Sequence, residues 1–168
     1  MVKKFLLLGV VAFVIAACSS TNTSVIKKSE KYNSQESYIL SHTPLEGDKT
    51  EEELKIAQYF EKSFDAALQK AHIKTDALNY DTIIQYDTFF DEGNRALRYF
   101  VGFGAGAAVT QIKIMVVTRI DKESIIELTT EATMSIGVFG GDAKSILDNA
   151  ANDIVKTLLQ ANVFKINK

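Results

Sequence analysis

Apolar residues recur at helical spacing in two segments of the chain. The first stripe has six members: Leu54, Ala57, Phe60, Phe64, Leu68 and Ala71. This three- or four-residue spacing predicts an amphipathic helix, with Thr50 and Glu53 as its capping box and an end near His72. The second stripe consists of Leu147, Ala150, Ala151, Ile154 and Leu158. Gly140 and Gly141 break the chain before it, and Asp142 can cap the predicted helix.

Three segments between these helices alternate apolar and polar residues, which is typical of strands with one buried face. Their predicted buried faces carry Ile84, Tyr86, Thr88 and Phe90, then Ile112, Ile114, Val116 and Ile120, and finally Ile126, Leu128, Ala132 and Met134. Gln85, Asp87 and Asp91 are predicted to lie on the opposite face of the first strand. A turn at residues 121–124 joins the last two strands in an antiparallel hairpin, and residues 37–40 add a short strand.

These elements predict an α+β fold, in which two one-sided helices need a sheet to cover. The expected architecture is a two-layer sandwich. Its mostly antiparallel sheet has three to four strands and is covered on one face by the two helices.

The N-terminus has the layout of a secretory signal. Lys3 and Lys4 precede an apolar run from Phe5 to Ala17, which is shorter than the roughly 20 apolar residues of a membrane-spanning helix. The ending VIAAC resembles the lipobox of bacterial lipoproteins, a resemblance that implies lipidation of Cys18. Ser19 replaces the aspartate that retains such proteins in the inner membrane, so we expect an outer-membrane protein, facing the periplasm or the cell surface.

The predicted signal divides the chain into three parts: residues 1–17 as signal peptide, 18–36 as lipidated cysteine and flexible tether, and 37–168 as one α+β domain. Removal of Lys3 and Lys4 with the signal leaves 17 of the 19 basic residues against 21 acidic ones, a net charge of −4. This acidic balance argues against a nucleic-acid partner. Cys18 is the one cysteine of the chain, so no disulfide is expected within it.

The segment YFVGFGAGAAV, residues 99–109, contains three glycines at alternate positions, Gly102, Gly104 and Gly106. A phosphate-binding loop would precede a helix, whereas a predicted strand follows here. We therefore interpret these glycines, with Gly93, as structural glycines of a bulge or bend. The neighbouring aromatic residues form a candidate interaction edge, or alternatively close one end of the core: Tyr99, Phe100, Phe103 and Phe139.

The run DEGNRALRYFVGFGAGAAVTQIKIMVV, residues 91–117, resembles the centre of a bacterial lipoprotein family that carries a domain of unknown function, the 4410 domain. This resemblance implies a fold but no reaction. More distantly, the same run together with IGVF at 136–139 is similar to the curli-secretion lipoprotein, whose corresponding segments become barrel hairpins of an oligomeric pore. The present sequence differs because a capped helix follows IGVF directly.

The sequence contains no constellation typical of catalysis. Its two histidines, His42 and His72, lack the spacing of a zinc site, and Asp91 and Glu92 fit a solvated turn better than an acid–base pair. We therefore expect no enzyme, no cofactor and no metal. The leading hypothesis is an envelope module that binds another envelope protein or, as an adhesin, a surface ligand. An oligomeric secretion or pore-associated subunit is the alternative, and the sequence leaves the oligomeric state open.

Overall fold

The computed structural model describes residues 19–32, 34–44, 49, 51–91, 107–135 and 143–166, and every structural statement below concerns these residues. They form two helices, α1 (Glu51–Lys70) and α2 (Ala143–Gln160). They also form six strands: β1 (Ser19–Lys28), β2 (Ser37–His42), β3 (Lys74–Thr75), β4 (Thr82–Asp91), β5 (Ala107–Thr118) and β6 (Ser124–Ser135).

The six strands form one mixed sheet with the order β1-β6-β5-β4-β2-β3. Strands β1, β6, β5 and β4 pair antiparallel, while β2 runs parallel to both β4 and β3. The α+β class is therefore confirmed, but the expectation of three to four strands is wrong. The expectation missed β1, because this strand is polar, and β3, because it has only two residues. It also missed the parallel pairing of β2 with β4, which requires the crossover through α1.

Both helices bury their apolar stripes against one face of the sheet. On α1, Ala57, Phe60, Phe64 and Leu68 are buried, as is the whole predicted stripe of α2. Leu54, in the first turn of α1, remains 39% exposed. Phe60 stacks on Phe64 with ring centroids 5.3 Å apart and also contacts Tyr86 of β4. The core therefore lies between the helices and the faces of β4, β5 and β6 that the alternation predicts.

Each helix ends in a left-handed residue, His72 after α1 and Asn162 after α2. After α1, the amide of His72 donates to the carbonyl of Gln69, and that of Ile73 donates to Leu68. Asn162 and Val163 repeat this pattern after α2. Such a Schellman motif satisfies the last carbonyls of a helix, which explains why the first helix ends near His72 as predicted.

The predicted hairpin is present between β5 and β6, and Ile112, Ile114 and Val116 are buried in its helix-facing side. The prediction for Ile120 is wrong, because this side chain is 88% exposed. Strand β5 ends at Thr118, so Ile120 lies in the turn, where strand alternation no longer determines which way a side chain points.

Residues 19–36 are not the flexible tether that their polar composition predicts. Ser19–Lys28 pair with β6 from Met134 to Ile126, with one irregularity between Val25 and Lys27. Further along, Gln35 pairs with Phe164. Backbone pairing needs no apolar side chains, and for this reason hydrophobic periodicity could not find this strand.

No helix among the described residues is long and apolar enough to cross a membrane.

Candidate interaction site

Four strand termini meet at one end of the sheet. Ser19, the first residue of β1, pairs with Met134 near the end of β6. Ser135 pairs in turn with Ala107 at the start of β5, and Val109 pairs with Asp91 at the end of β4. We call this end, defined by Ser19, Ser135, Ala107 and Asp91, the anchor end, because the predicted lipidated residue immediately precedes Ser19 in the sequence.

The site residues predicted from the sequence lie outside the described residues. They comprise Cys18, the candidate interaction edge Tyr99, Phe100, Phe103 and Phe139, and the structural glycines Gly93, Gly102, Gly104 and Gly106. Residues 92–106 join β4 to β5, and residues 136–142 lead from β6 to α2. Both connections therefore leave the described sheet at the anchor end, although nothing in the structure tests the roles predicted for their residues.

The face of the sheet opposite the helices carries two cross-strand rows of side chains. In one row Gln85, Met115 and Glu127 are neighbours on β4, β5 and β6, and in the next row Asp87, Lys113 and Thr129 are neighbours. These six residues define the open face. Alternation places them there because Ile84 and Tyr86, their neighbours along β4, are buried on the side of the helices.

A groove of about 190 Å³ lies on the open face, and Ile26 of β1 and Thr43 after β2 also line it. Pockets that enclose drug-sized ligands usually measure about 300–1,000 Å³, so this groove is small for such a ligand. Its volume instead suits one or two side chains of a partner. Met115 and Ile26 supply apolar surface beside the charged groups of Lys113 and Glu127.

Asp87 is the most deeply buried charged residue near the groove, with a side chain fully shielded from solvent. The Lys49 ammonium lies 3.1 Å from its Oδ1 atom, and the Lys49 side chain is only 5% exposed. The backbone amide of Thr88 donates to the same oxygen over 2.8 Å, and the Nε2 atom of His42 lies 3.6 Å away. A buried carboxylate needs such partners to offset its loss of hydration. Asp87 therefore links its own strand, β4, to the end of β2 at His42 and to Lys49.

Lys49 makes further contacts that hold it in this position. Its ammonium donates to the carbonyl oxygen of Thr88 over 3.2 Å and lies 4.0 Å from the centre of the Phe89 ring. The Lys113 ammonium approaches the same ring at 4.7 Å. This geometry fits a structural clamp that attaches residue 49, just before α1, to the sheet, rather than an amine free to react with a substrate.

Hydroxyl groups bound to carboxylates hold the helices against the sheet. Tyr86 donates to Glu61 of α1, and Thr23 of β1 donates to Asp153 of α2 over 2.7 Å while also contacting Thr130. Burial, followed by the bond to Glu61, raises the pKa of Tyr86 above its usual value. These bonds support the sheet from the helix side, opposite the open face.

The end of the sheet remote from the anchor end is rich in charge pairs. Lys31 and Glu123 form an ion pair of 2.8 Å, and Tyr32 donates to the same carboxylate. Asp76 accepts the amides of Asn79 and Leu78 and lies 3.0 Å from the Lys74 ammonium. The backbone amide of Asn79 and the Lys74 ammonium are the main causes that lower the Asp76 pKa to about 2. We call the end of the sheet that carries these charge pairs the distal end.

Reasoning from the sequence placed Asp87 on the polar face of β4 but did not predict its burial or its partners. Lys49 and His42 lie far from Asp87 in sequence, so no local pattern connects them. The one available signal was the alternation itself, which places an acidic residue opposite Lys113 once β4 and β5 are paired. Among the described residues, no group of three or more His, Cys, Asp or Glu side chains is arranged to hold a metal ion.

The architecture is that of a mixed α+β sheet covered on one face by two helices. The chain belongs to the family described as Domain of unknown function (DUF4410), whose model matches residues 21–141. The resemblance noted in the sequence of residues 91–117 is thereby confirmed at the level of the family. A comparison with curated proteins finds no significant match.

Several solved structures are similar to this chain at low sequence identity. A dodecamer of a PelC variant from Paraburkholderia phytofirmans is 8% identical, with a TM-score of 0.53 over 88% of this chain and 100% of that chain. A PDZ domain protein from Parabacteroides distasonis is 12% identical, with a TM-score of 0.49 over 89% and 38% of the two chains. A minor lipoprotein from Acinetobacter baumannii is 12% identical, with a TM-score of 0.46 over 76% and 94%. At 8% identity, the similarity to the PelC variant shows a shared fold and no shared function.

Proposed function

We propose that this protein is a lipid-anchored protein of the bacterial outer membrane whose α+β domain is a non-enzymatic interaction module of the cell envelope. The observation that carries the proposal is the position of β1. Its first residue, Ser19, immediately follows the lipobox-like sequence that ends at Cys18. Acylation of Cys18 would join the lipid directly to the folded sheet, so the domain would lie at the membrane surface.

The open face is the surface that we assign to the partner. It is the sheet face that the described helices do not cover, and its groove is too small for a drug-sized ligand but suits side chains of another protein. Apolar contacts from Met115 and Ile26 would provide affinity, and Lys113 and Glu127 would orient the partner. The partner is an envelope protein or, in the adhesin version of the proposal, a ligand outside the cell.

Two measurements test the proposal. Metabolic labelling with palmitate should label the wild type but not Cys18→Ala, and labelling of the variant would refute anchoring at Cys18. A photo-crosslinking residue at Thr129, in the groove, should yield a defined adduct in intact cells that Met115→Arg weakens, whereas the same probe at exposed Lys62 on α1 should yield none. Equal adducts from both positions would refute the open face as the binding surface. Protease accessibility on intact cells separates a periplasmic partner from a surface ligand.

A second candidate function is an oligomeric secretion or pore-associated subunit. Two observations favour it: the fold is shared with a protein crystallised as a dodecamer, and β1 is a ten-residue outermost strand of the described sheet. Outermost strands present backbone donors and acceptors to another chain. Native mass measurement of the detergent-solubilised protein tests this candidate. A closed multiple of the subunit mass would support it, and a monomer over a wide concentration range would exclude it.

A further inference from the structure

We infer that the groove on the open face receives a basic side chain of the partner protein, whose alkyl stem packs on Met115 and Ile26 and whose cation pairs with the Glu127 carboxylate. This inference rests on the proposed function, which assigns the partner to the open face, and it adds the chemistry that the partner brings to the groove. All the residues that line the groove belong to the described part of the chain.

The groove offers apolar surface directly beside a carboxylate. Met115 lies between Gln85 and Glu127 in one cross-strand row, and Ile26, at the irregularity of β1, is 64% exposed. Lysine and arginine pack their methylene groups on such apolar surface while the charged end stays in contact with polar groups. The groove volume of about 190 Å³ accommodates one side chain of this kind.

Glu127 is a carboxylate that a bound partner would have to satisfy. Its side chain is partly buried, and no ion pair or hydrogen bond involves it within the described part of the chain. Its strand neighbours are Met115 on β5 and the exposed Lys27 on β1. A partner that covers the groove removes water from this carboxylate, and desolvation without a compensating donor is costly. A cation of the partner placed at Glu127 offsets that cost.

The other charged groups of the groove already have partners. Asp87 is paired with the Lys49 ammonium at 3.1 Å. The Lys113 ammonium lies 4.7 Å from the centre of the Phe89 ring on β4, and β4 is two strands, or about 10 Å, away from β6. Lys113 is therefore directed to the β4 side of the groove, whereas Glu127 belongs to β6. Glu127 is consequently the group to which we assign the partner's charge.

Titration with a small cation tests this inference on the full acylated chain in detergent. Butylguanidinium is the probe, and butylurea is its uncharged counterpart of nearly equal size and shape. The methyl group of Met115, isotope-labelled and assigned with Met115→Leu, reports binding by NMR. Butylguanidinium should shift this signal in a saturable way, and butylurea should bind several-fold more weakly because it cannot form a charge-assisted pair with Glu127. Equal binding of the two probes would overturn the inference, and this comparison needs no variant.

Two carboxylates of β6 supply matched variants. Glu127→Gln removes the charge in the groove, whereas Glu131→Gln removes an exposed charge about 14 Å further along the same face of β6, outside the groove. Butylguanidinium should bind several-fold more weakly to Glu127→Gln and with unchanged affinity to Glu131→Gln. Lys27→Gln should strengthen binding, because it removes the neighbouring cation that competes for Glu127. Equal affinities of the two carboxylate variants, or weaker binding to Lys27→Gln, would contradict a cation site at Glu127.

The crosslinking experiment described for the proposed function separates failure of this inference from failure of that function. Glu127→Gln should weaken the adduct formed by the photo-crosslinking residue at Thr129 in intact cells, and Glu131→Gln should not. An adduct of undiminished yield in Glu127→Gln would overturn the basic side chain but leave the open face as the binding surface. Absence of the adduct in the wild type would instead refute the proposed partner on the open face.

Discussion

The hydroxyl group of Tyr38 on β2 donates a hydrogen bond of 2.6 Å to the Oδ1 atom of Asp65 on α1. The tyrosine ring is fully buried and meets the edge of Phe164, beyond α2, at a centroid distance of 6.3 Å. A single side chain therefore connects the parallel part of the sheet to α1 and to the segment that follows α2.

This relationship predicts the effect of removing one oxygen atom. Tyr38→Phe keeps the packed ring but loses the bond to a carboxylate, and we expect a loss of about 1.5–3 kcal/mol in the free energy of unfolding. Urea denaturation at neutral pH measures the change. Tyr80→Phe is the matched control, because Tyr80 contacts Arg119 through its ring face. An unchanged midpoint for Tyr38→Phe would show that the bond contributes nothing.

Alkaline pH should destabilise the fold through two tyrosines. Burial, followed by hydrogen bonds to Asp65 and Glu61, raises the pKa of Tyr38 and of Tyr86 above the usual value of 10.0. The folded state therefore keeps protons that the unfolded chain releases. Their contribution to stability is fully present below about pH 10 and is lost as pH rises towards the folded-state pKa.

Urea denaturation on either side of pH 10 measures this dependence, and the free energy of unfolding should fall on the alkaline side. The double variant Tyr38→Phe/Tyr86→Phe should show a shallower fall, because it lacks both groups. An equally steep fall in the double variant would assign the pH dependence to other residues.

The buried Lys49–Asp87 pair should show strong coupling. Lys49→Met removes one charge and leaves the buried Asp87 carboxylate without its ammonium neighbour, so we expect a loss of about 3–5 kcal/mol. Adding Asp87→Asn to this variant should cost much less than Asp87→Asn alone. A double-mutant cycle by chemical denaturation measures the coupling, and additive effects would contradict a paired arrangement. Lys55→Met, at an exposed ion pair on α1, is the control, with an expected change below about 1 kcal/mol.

Strand β1 should be essential to the stability of the domain. Deletion of residues 19–28 exposes the edge of β6 and the part of α2 that lies against β1, so we expect the melting temperature to fall by many degrees. Thr23→Val is a gentler test. It removes the hydroxyl that contacts Thr130 and Asp153 and should cost about 1–3 kcal/mol.

Ser24→Val, at the next and exposed position of β1, is the matched control for Thr23→Val, and thermal unfolding measures all three variants. A deletion variant that melts like the intact domain would contradict an integral role of β1 in the sheet.

The sequence by itself determined the two helices, the β5–β6 hairpin and the buried faces of the central strands, because each of these depends on a local period of apolar residues. Phe60 and Phe64 on α1, and Ile112 and Ile114 on β5, lie where their spacing predicts. The order of motifs in residues 91–117 also predicted the family, which the family model over residues 21–141 confirms. The roles of Cys18, of the glycines and of Tyr99, Phe100, Phe103 and Phe139 stay predictions.

Only the tertiary structure decided that residues 19–28 form a strand, that β2 pairs parallel to β4, and that Asp87 is buried with Lys49. These features depend on backbone hydrogen bonds and ion pairs between segments that are distant in sequence. A polar strand such as SSTNTSVIKK is held through its main chain and through Thr23, so it leaves no hydrophobic period to detect. The same long-range pairing brings Ser19 to the ends of β4, β5 and β6, which is why the anchor end became visible only in the folded chain.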